Sequence, residues 1–516
     1  MKILFPTNSW LYDIMLRSYP IWRDKGIDIV YDLLLSHHFE YLTEHLFGQN
    51  RPPFRSFPIT ALQGWAKANI SDENIERLEE KYDIRLPEMM IYDLSMVKYQ
   101  AIPYDKMRNE EYWRRYYVTA VSYYETLLNE VSPDFIFGEG PNGLGMKVLF
   151  EVSRRMGIPY ITIAGSYVQD TTMFLYGRTA KSFGLPYFHR HHQQLTAEDY
   201  HLADEILNKV RIHKQMAYYQ RKYGKPVRLI PKRISKAFTL FAKSISHWRG
   251  ERDPRRRLRN LIEFESNPLW SVFVSRWIKY FNYRYVMSRC DAQKSAGNYV
   301  VYFNHFQPEA TTSVYAPYYE NQEEVIENII KSLPGTVKLY IKEHSTDLGN
   351  RGKTFYEKFI NHPSVKIIHP LANSIELIEG SRMAFTISGT VGLEAIMLKK
   401  PVGVFSDCYY SQFPGVMRIS NPENIPSVIN WGLNEFKSDE ASVRTFVAAY
   451  ARSLYPTFLT YPNLEEEALL SRRENLVKFV DGILSFIEDY KVLDWGKYIK
   501  CEDGTLSRQL LPDAIV

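Results

Sequence analysis

Four short polar clusters in the second half of this chain carry side chains suited to holding an anion and moving a proton. Ser388-Gly389-Thr390 follows the apolar run Met383 to Ile387 and precedes Val391-Gly392-Leu393-Glu394-Ala395. The pattern reads as a strand, a small polar turn and the first turn of a helix. A helix start offers unpaired N–H groups and partial positive charge, and glycine lets a phosphate approach the backbone. Glu394, about one turn later, suits the hydroxyls of a ribose better than a phosphate. The same Ser-Gly-Thr is equally ordinary N-cap chemistry. The other clusters are Asn304-His305-Phe306-Gln307-Pro308-Glu309, Lys342-Glu343-His344-Ser345 and His369-Pro370. Lys342 and His344 can neutralise a diphosphate or monophosphate, with Arg351 assisting from the following loop.

In the first half, Gly138-Glu139-Gly140-Pro141-Asn142-Gly143 follows the apolar run that ends at Phe137. A carboxylate there can act as a general base on a sugar hydroxyl. The turn can equally serve only to start a helix, with Glu139 balancing the dipole. His305 and Glu309 compete with Glu139 for proton transfer. The expected catalytic set is therefore Glu139, His305 and Glu309. The glycines resemble G-x-G-x-x-G, but proline follows the second, and no dinucleotide site is read from them. Walker A, H-E-x-x-H, paired C-x-x-C and G-x-S-x-G patterns are missing from the sequence, as is an Asp-x-Asp pair. The expectation is a site with no metal and no cofactor.

These clusters need elements to position them. Lys2 to Phe5, Gly26 to Val30, Asp134 to Phe137 and Tyr160 to Ile163 read as strands, with a helix from Leu144 to Met156. Strand, glycine turn, helix, glycine, strand is the rhythm of a parallel βαβ unit. From Asn298 the rhythm returns, with strands at Tyr299 to Phe303, Val337 to Ile341, Val365 to Ile368, Met383 to Ile387 and Pro401 to Phe405. All four clusters follow such strands. Ligands gather at the carboxyl ends of strands in open α/β sheets, so four polar strand ends on one sheet favour an anionic ligand. The expected division is a Rossmann-like domain at 1–186, a helical basic insertion or linker at 187–295, a second Rossmann-like domain at 296–438, and a helical segment at 439–516 packing across both. Two such domains place substrates in the cleft between them.

The 516 residues are 45% hydrophobic and 24% charged, a globular composition. Cys290, Cys408 and Cys501 have no metal or redox spacing and suit a reducing cytoplasm. The apolar run at Met1 to Phe5 is too short for a secretion signal, and no run approaches the roughly 20 residues that span a bilayer. Net charge is only +5, yet residues 228–260 hold eleven Lys or Arg against two acidic residues. Ile234, Ala237, Phe238, Leu240, Phe241 and Ile245 recur there at near-helical spacing. That segment can lie on the anionic inner face of the cytoplasmic membrane, or simply be a solvated helix packed by one face. The basic cluster is single and local, and no nucleic-acid partner is expected.

The runs His305-Phe306-Gln307-Pro308-Glu309-Ala310-Thr311-Thr312, Leu339-Tyr340-Ile341-Lys342-Glu343-His344 and Thr386 through Ala395, with Lys400-Pro401-Val402 after, resemble the capsule polysaccharide biosynthesis family. That family includes the Kdo transferases of bacterial surface glycans. The resemblance covers about residues 299 to 405. It implies a GT-B arrangement of two Rossmann-like domains, a nucleotide-sugar donor held mainly by the second, and no obligatory metal. It further implies donor-phosphate contacts from Lys342, His344, Ser388, Gly389 and Thr390, and a ribose contact from Glu394. Ser345 stands where the family's His-Pro element has proline. Several relatives use CMP-activated acidic sugars. The function so implied is a cytoplasmic glycosyltransferase extending a surface polysaccharide or a lipid-linked glycan. Two alternatives remain on the sequence alone: a nucleotide-sugar epimerase of the same fold, and a non-enzymatic polysaccharide assembly or export factor.

Overall fold

The computed structural model describes residues 1–7, 11–33, 52–56, 63–100, 109–179, 181–216, 275–291, 297–458 and 467–495. Fourteen strands among them form two sheets. In the first half the strands are β1 (Lys2–Thr7), β2 (Asp28–Leu33), β3 (Phe54–Ser56), β4 (Phe135–Gly138), β5 (Tyr160–Gly165), β6 (Thr171–Tyr176) and β7 (Lys181–Ser182). In the second half they are β8 (Tyr299–Phe303), β9 (Lys338–Lys342), β10 (Val365–Ile368), β11 (Met383–Thr386), β12 (Val402–Val404), β13 (Val416–Arg418) and β14 (Tyr455–Pro456).

The C-terminal sheet runs β10-β9-β8-β11-β12-β13, and every neighbouring pair is parallel. In chain order this is 3-2-1-4-5-6, the order of a dinucleotide-type Rossmann sheet, whose crevice opens between its first and fourth strands. Here those strands are β8 and β11. Tyr299 to Phe303 is buried at every position, as a strand covered on both faces must be. Alternate residues serve the two faces. Val300, Tyr302, Leu339, Ile341 and Phe385 pack against Ile326, Phe355 and Phe359. Val301, Phe303, Ala384 and Val404 pack toward Phe188, Ile206, Phe446 and Tyr450. Ile206 belongs to the helix Ala197–Arg211, Phe446 and Tyr450 to Glu440–Arg452, and Phe188 to the shorter Gly184–Arg190. The first of these starts with a reciprocal cap, Thr196 and Asp199 each accepting from the other's backbone N–H.

The N-terminal sheet runs β14-β6-β5-β4-β1-β2-β3, with β7 paired to β6. Its five strands from β5 to β3 are parallel, while β6, β7 and β14 are antiparallel additions. One face, through Leu4, Ile136 and Tyr160, packs on Tyr117, Tyr124, Leu128 and Leu149 of the helices Glu110–Val131 and Gly143–Arg155. The other, through Ile3, Phe5, Phe137 and Phe174, packs on Leu476, Phe479, Val480 and Phe486 of the helix Arg473–Val492. The chain thus returns to finish the core it began.

The fold is α/β, with two Rossmann-like sheets in a GT-B-like arrangement. It differs from the sequence reading at short strands. The second sheet has a sixth strand, β13, and the helical segment expected at 439–516 is interrupted by β14. Two- and three-residue strands leave no readable alternation, and pairing with a neighbour decides them. Among the described residues no helix is long and apolar enough to cross a membrane. The basic segment 228–260 and Cys501 lie outside the described residues.

Candidate functional site

The strand ends of the two sheets meet at a seam. In the turn after β4, a Cβ on Gly140 would sit 2.6 Å from the Tyr315 hydroxyl, so only glycine allows this approach. Lys147 Nζ donates to the Ser313 carbonyl at 3.4 Å, and Ser95 Oγ to Glu320 Oε1 at 2.8 Å. Both bonds join the first half of the chain to the second.

Strand β8 delivers His305 into a buried position. Its Nε2 accepts from the Ile387 N–H at 3.0 Å and lies 2.8 Å from Thr386 Oγ1. Thr386 Oγ1 in turn accepts from the Gly389 N–H at 3.1 Å. Since Nε2 accepts an N–H, this network assigns the ring proton to Nδ1 and has the Thr386 hydroxyl donating to Nε2. Burial, with His344 and Arg351 nearby, pushes the imidazole down to about 3. At neutral pH His305 is an uncharged brace for the turn after β11. Its expected part in proton transfer is corrected on this ground: Nε2 is already filled.

Strand β9 delivers Lys342, Glu343 and His344. Lys342 Nζ donates to the Pro370 carbonyl at 3.1 Å and the Glu343 carbonyl at 3.4 Å. Burial pushes its pKa down to about 8, so at pH 7 the ammonium persists. His344 Nδ1 accepts from the Thr346 N–H at 3.3 Å, which assigns the proton to Nε2. Among the described residues Nε2 has no partner. Burial, Lys342 and Arg351 together push this imidazole to about 3, making it a neutral hydrogen-bond donor.

Arg351 is not available to a ligand, contrary to expectation. It is buried and donates to Glu343 at 3.0 Å, to Gln307 Oε1 at 2.9 Å and to the His305 carbonyl, and it pairs with Asp347 at 3.1 Å. Glu343 also accepts from Asn304 Nδ2 at 3.3 Å and from the Tyr356 hydroxyl. A buried carboxylate pair without this guanidinium would be unpaired charge, so Arg351 is a clamp tying the β8 and β9 ends together.

The turn after β11 leads into a short helix. The helix spans Val391–Met397, and Thr390, at its N-cap position, makes no side-chain capping bond. Ser388 Oγ is buried and, among the described residues, has no hydrogen-bond partner. The Tyr410 hydroxyl donates to the Gly389 carbonyl at 2.5 Å, and a Cβ on Gly392 would fall 2.3 Å from that same hydroxyl. Glycine at 392 is therefore a packing requirement. Glu394 is 0% exposed and accepts from Ser374 Oγ at 3.2 Å. The carboxylate lies in the wall beside Lys342, whose ammonium it supports electrostatically.

Orphaned polar atoms collect along this seam. Asn142 Oδ1 after β4, Asn304 Oδ1 after β8, Ser313 Oγ in the next helix and Ser388 Oγ after β11 are buried with no hydrogen-bond partner among the described residues. Buried polar atoms are rarely left so.

Two carboxylates share the seam. Glu139 is buried at the end of β4, and its carbonyl accepts from the Tyr160 hydroxyl at 2.8 Å. Glu309 is open to water at the start of the helix Ala310–Ser313, with Thr311 hydrogen-bonded to it. Surrounding protein still pushes its carboxyl upward. Both glutamates act electrostatically on Tyr92 and Tyr315, whose phenols they push up after burial itself. Tyr315 also hydrogen-bonds Thr162 of β5. The structure thus brings Glu139 and Glu309 to one place. Tyr92, Tyr315 and Tyr410 were missed in the sequence, where 38 tyrosines give no reason to single out three.

Residues 275–428 match the family model described as "Capsule polysaccharide biosynthesis protein". No curated protein matches the chain. Among solved structures, it is similar to a Thermosulfurimonas dismutans KpsC beta Kdo 2,4 transferase, at 16% identity and TM-score 0.36, covering 61% of this chain and 79% of that one. A KpsC beta Kdo 2,7 transferase from the same organism aligns at 10% identity and TM-score 0.34, covering 63% and 78%. The Methanocaldococcus jannaschii UDP-GlcNAc 2-epimerase in complex with UDP-GlcNAc and UDP aligns at 13% identity and TM-score 0.28, covering 86% and 98%. Over residues 275–428, which contain the β8, β9 and β11 ends, this chain carries the sequence pattern of the capsule polysaccharide biosynthesis family.

Proposed function

We propose that the seam binds a nucleotide-sugar and that the protein transfers its sugar to a glycan acceptor during bacterial surface-polysaccharide assembly. The observation that carries this reading is the unpartnered, buried Ser388 Oγ at a braced turn, beside a neutral His344 donor and the Lys342 cation. Phosphate oxygens accept from Ser388 Oγ–H and His344 Nε2–H. Lys342 adds the N–H its two carbonyl partners leave over. These groups stabilise negative charge as the bond from sugar carbon to phosphate oxygen breaks and the nucleotide leaves with the electron pair. The acceptor oxygen forms the new bond and gives its proton to Glu139. Glu309 is the second carboxylate in reach. The family match makes a CMP-activated acidic sugar the first donor to test, and a lipid-linked glycan on the cytoplasmic side the first acceptor.

A thermal-shift screen with CMP, UDP, GDP and CDP tests the reading. One nucleotide should stabilise the protein by about 2.7 kcal/mol at a hundredfold excess over its Kd, and Ser388→Ala should reduce that gain. No shift with any of the four would sink the proposal. Because Glu139 and Glu309 meet at one seam, acid/base work on the donor alone is a second reading. Turnover of the nucleotide-sugar to an epimer without acceptor would favour that epimerase.

A further inference from the structure

The helix Ser275–Met287 is anchored to the C-terminal sheet by one face. Val286 is buried, Asn282 Nδ2 donates to the Gly349 carbonyl at 3.2 Å, and the Lys279 carbonyl presses so close that a Cβ on Gly349 would lie 2.1 Å away. The opposite face does the reverse of what water favours. Trp277 is 56% exposed, Phe281 59% and Ile278 41%, and the two rings pack edge-to-face 6.4 Å apart. Trp277, Phe281 and Arg284 share one stripe at i, i+4, i+7 spacing. From Ser275 to Cys290 there are four Lys or Arg and no Asp or Glu.

We infer that this stripe docks on an anionic bilayer surface, Trp277 and Phe281 entering the headgroup region while Arg276 and Arg284 meet lipid phosphates. Large aromatic rings beside cations are what an interfacial helix presents, and tryptophan prefers that depth. The charge complement selects the occupant. A second copy would bring the same cations face to face, whereas an anionic leaflet attracts them. The face is distinct from residues 228–260, where the sequence placed such contact, and independent of the donor chemistry.

Flotation of the full chain with vesicles tests it, using phosphatidylcholine alone or with added phosphatidylglycerol. The wild type should float with the anionic vesicles only, and high salt should release it. Trp277→Ser/Phe281→Ser and, separately, Arg284→Glu should each weaken binding at least about tenfold. Their thermal midpoints and nucleotide-induced shifts should stay unchanged, because these side chains touch neither core nor seam. The inference is overturned if the wild type does not float, if it floats equally without anionic lipid, or if the variants float as it does. It is also overturned if the wild type is a dimer in solution that the double variant dissolves, which would assign the face to a second copy.

Discussion

The two sheets solve the same packing problem with chain drawn from very different distances. All six strands of the C-terminal sheet come from one run, β8 to β13, and its polar strand ends follow directly on the strands that aim them. The N-terminal sheet takes β1 to β7 from the start of the chain and β14 from near the end, and the helix Arg473–Val492 fills one of its faces. Its part of the seam is correspondingly sparse: Glu139, Asn142 and a glycine that admits Tyr315. The lesson is one of tolerance. A site built on consecutive strand ends is held by local brackets such as Arg351. A site built across distant segments is held by the core as a whole.

Breaking each support should expose that contrast. Arg351→Ala strands Glu343 and Asp347 and should cost about 3–5 kcal/mol. Phe479→Ala should cost a similar 3–5 kcal/mol from the other end of the chain. Denaturant melts with probes in each half would check them. Loss of nucleotide binding is expected at once for the first and only with global melting for the second. Equal loss of both in both variants would erase the distinction.

Next in size is chemistry at the seam. Glu139→Gln should lower turnover about 10²–10⁴-fold while leaving the nucleotide-induced thermal shift intact. Glu309→Gln should do less. Steady-state rates for both variants decide which carboxylate takes the proton, and a larger loss for Glu309→Gln would reverse the assignment.

Acid sharpens the comparison further, because the two most strongly depressed imidazoles among the described residues lie in the C-terminal half. His305 and His344 are lowered from 6.5 to about 3, so between those values the unfolded chain binds protons that the folded one refuses. Stability therefore falls as pH drops from 6.5 toward 3, by up to about 3 kcal/mol per imidazole at pH 4. Melting between pH 7 and 4 should show it, and His305→Gln should flatten the slope. An unchanged slope would mean that the ring is not held neutral. The smallest effect belongs to Ser388→Ala, which should weaken nucleotide binding about tenfold with little change in stability, since that hydroxyl has no partner to lose. Calorimetric titration would measure it.

The C-terminal half was the legible one, for a physical reason. Val300 to Phe303 or Met383 to Phe385 are unbroken apolar runs because both faces of a parallel strand are covered, and polar residues gather where the strand ends. That rule located His305, Lys342, His344 and Ser388. It could not say which of them face a ligand. Arg351 looked free because its partners Glu343, Gln307 and His305 come together only in the folded sheet, although Asp347 at i−4 was a visible hint. Glu394 looked available because helical spacing gives no measure of enclosure. Tyr410 and Tyr315 act through single hydroxyls at close range, a contact with no signature in spacing.

The helix Arg473–Val492 also sets an order of events during synthesis. Ile3 and Phe5 leave the ribosome roughly 470 residues ahead of Phe479 and Phe486, which cover them. At elongation of roughly 5–20 residues per second, that apolar face waits on the order of 25–100 s for its lid. The C-terminal sheet, whose strands are complete by Arg418, can close meanwhile. The nascent N-terminal half is thus the stretch that needs shelter, and cutting the chain before Arg473 would leave it uncovered for good.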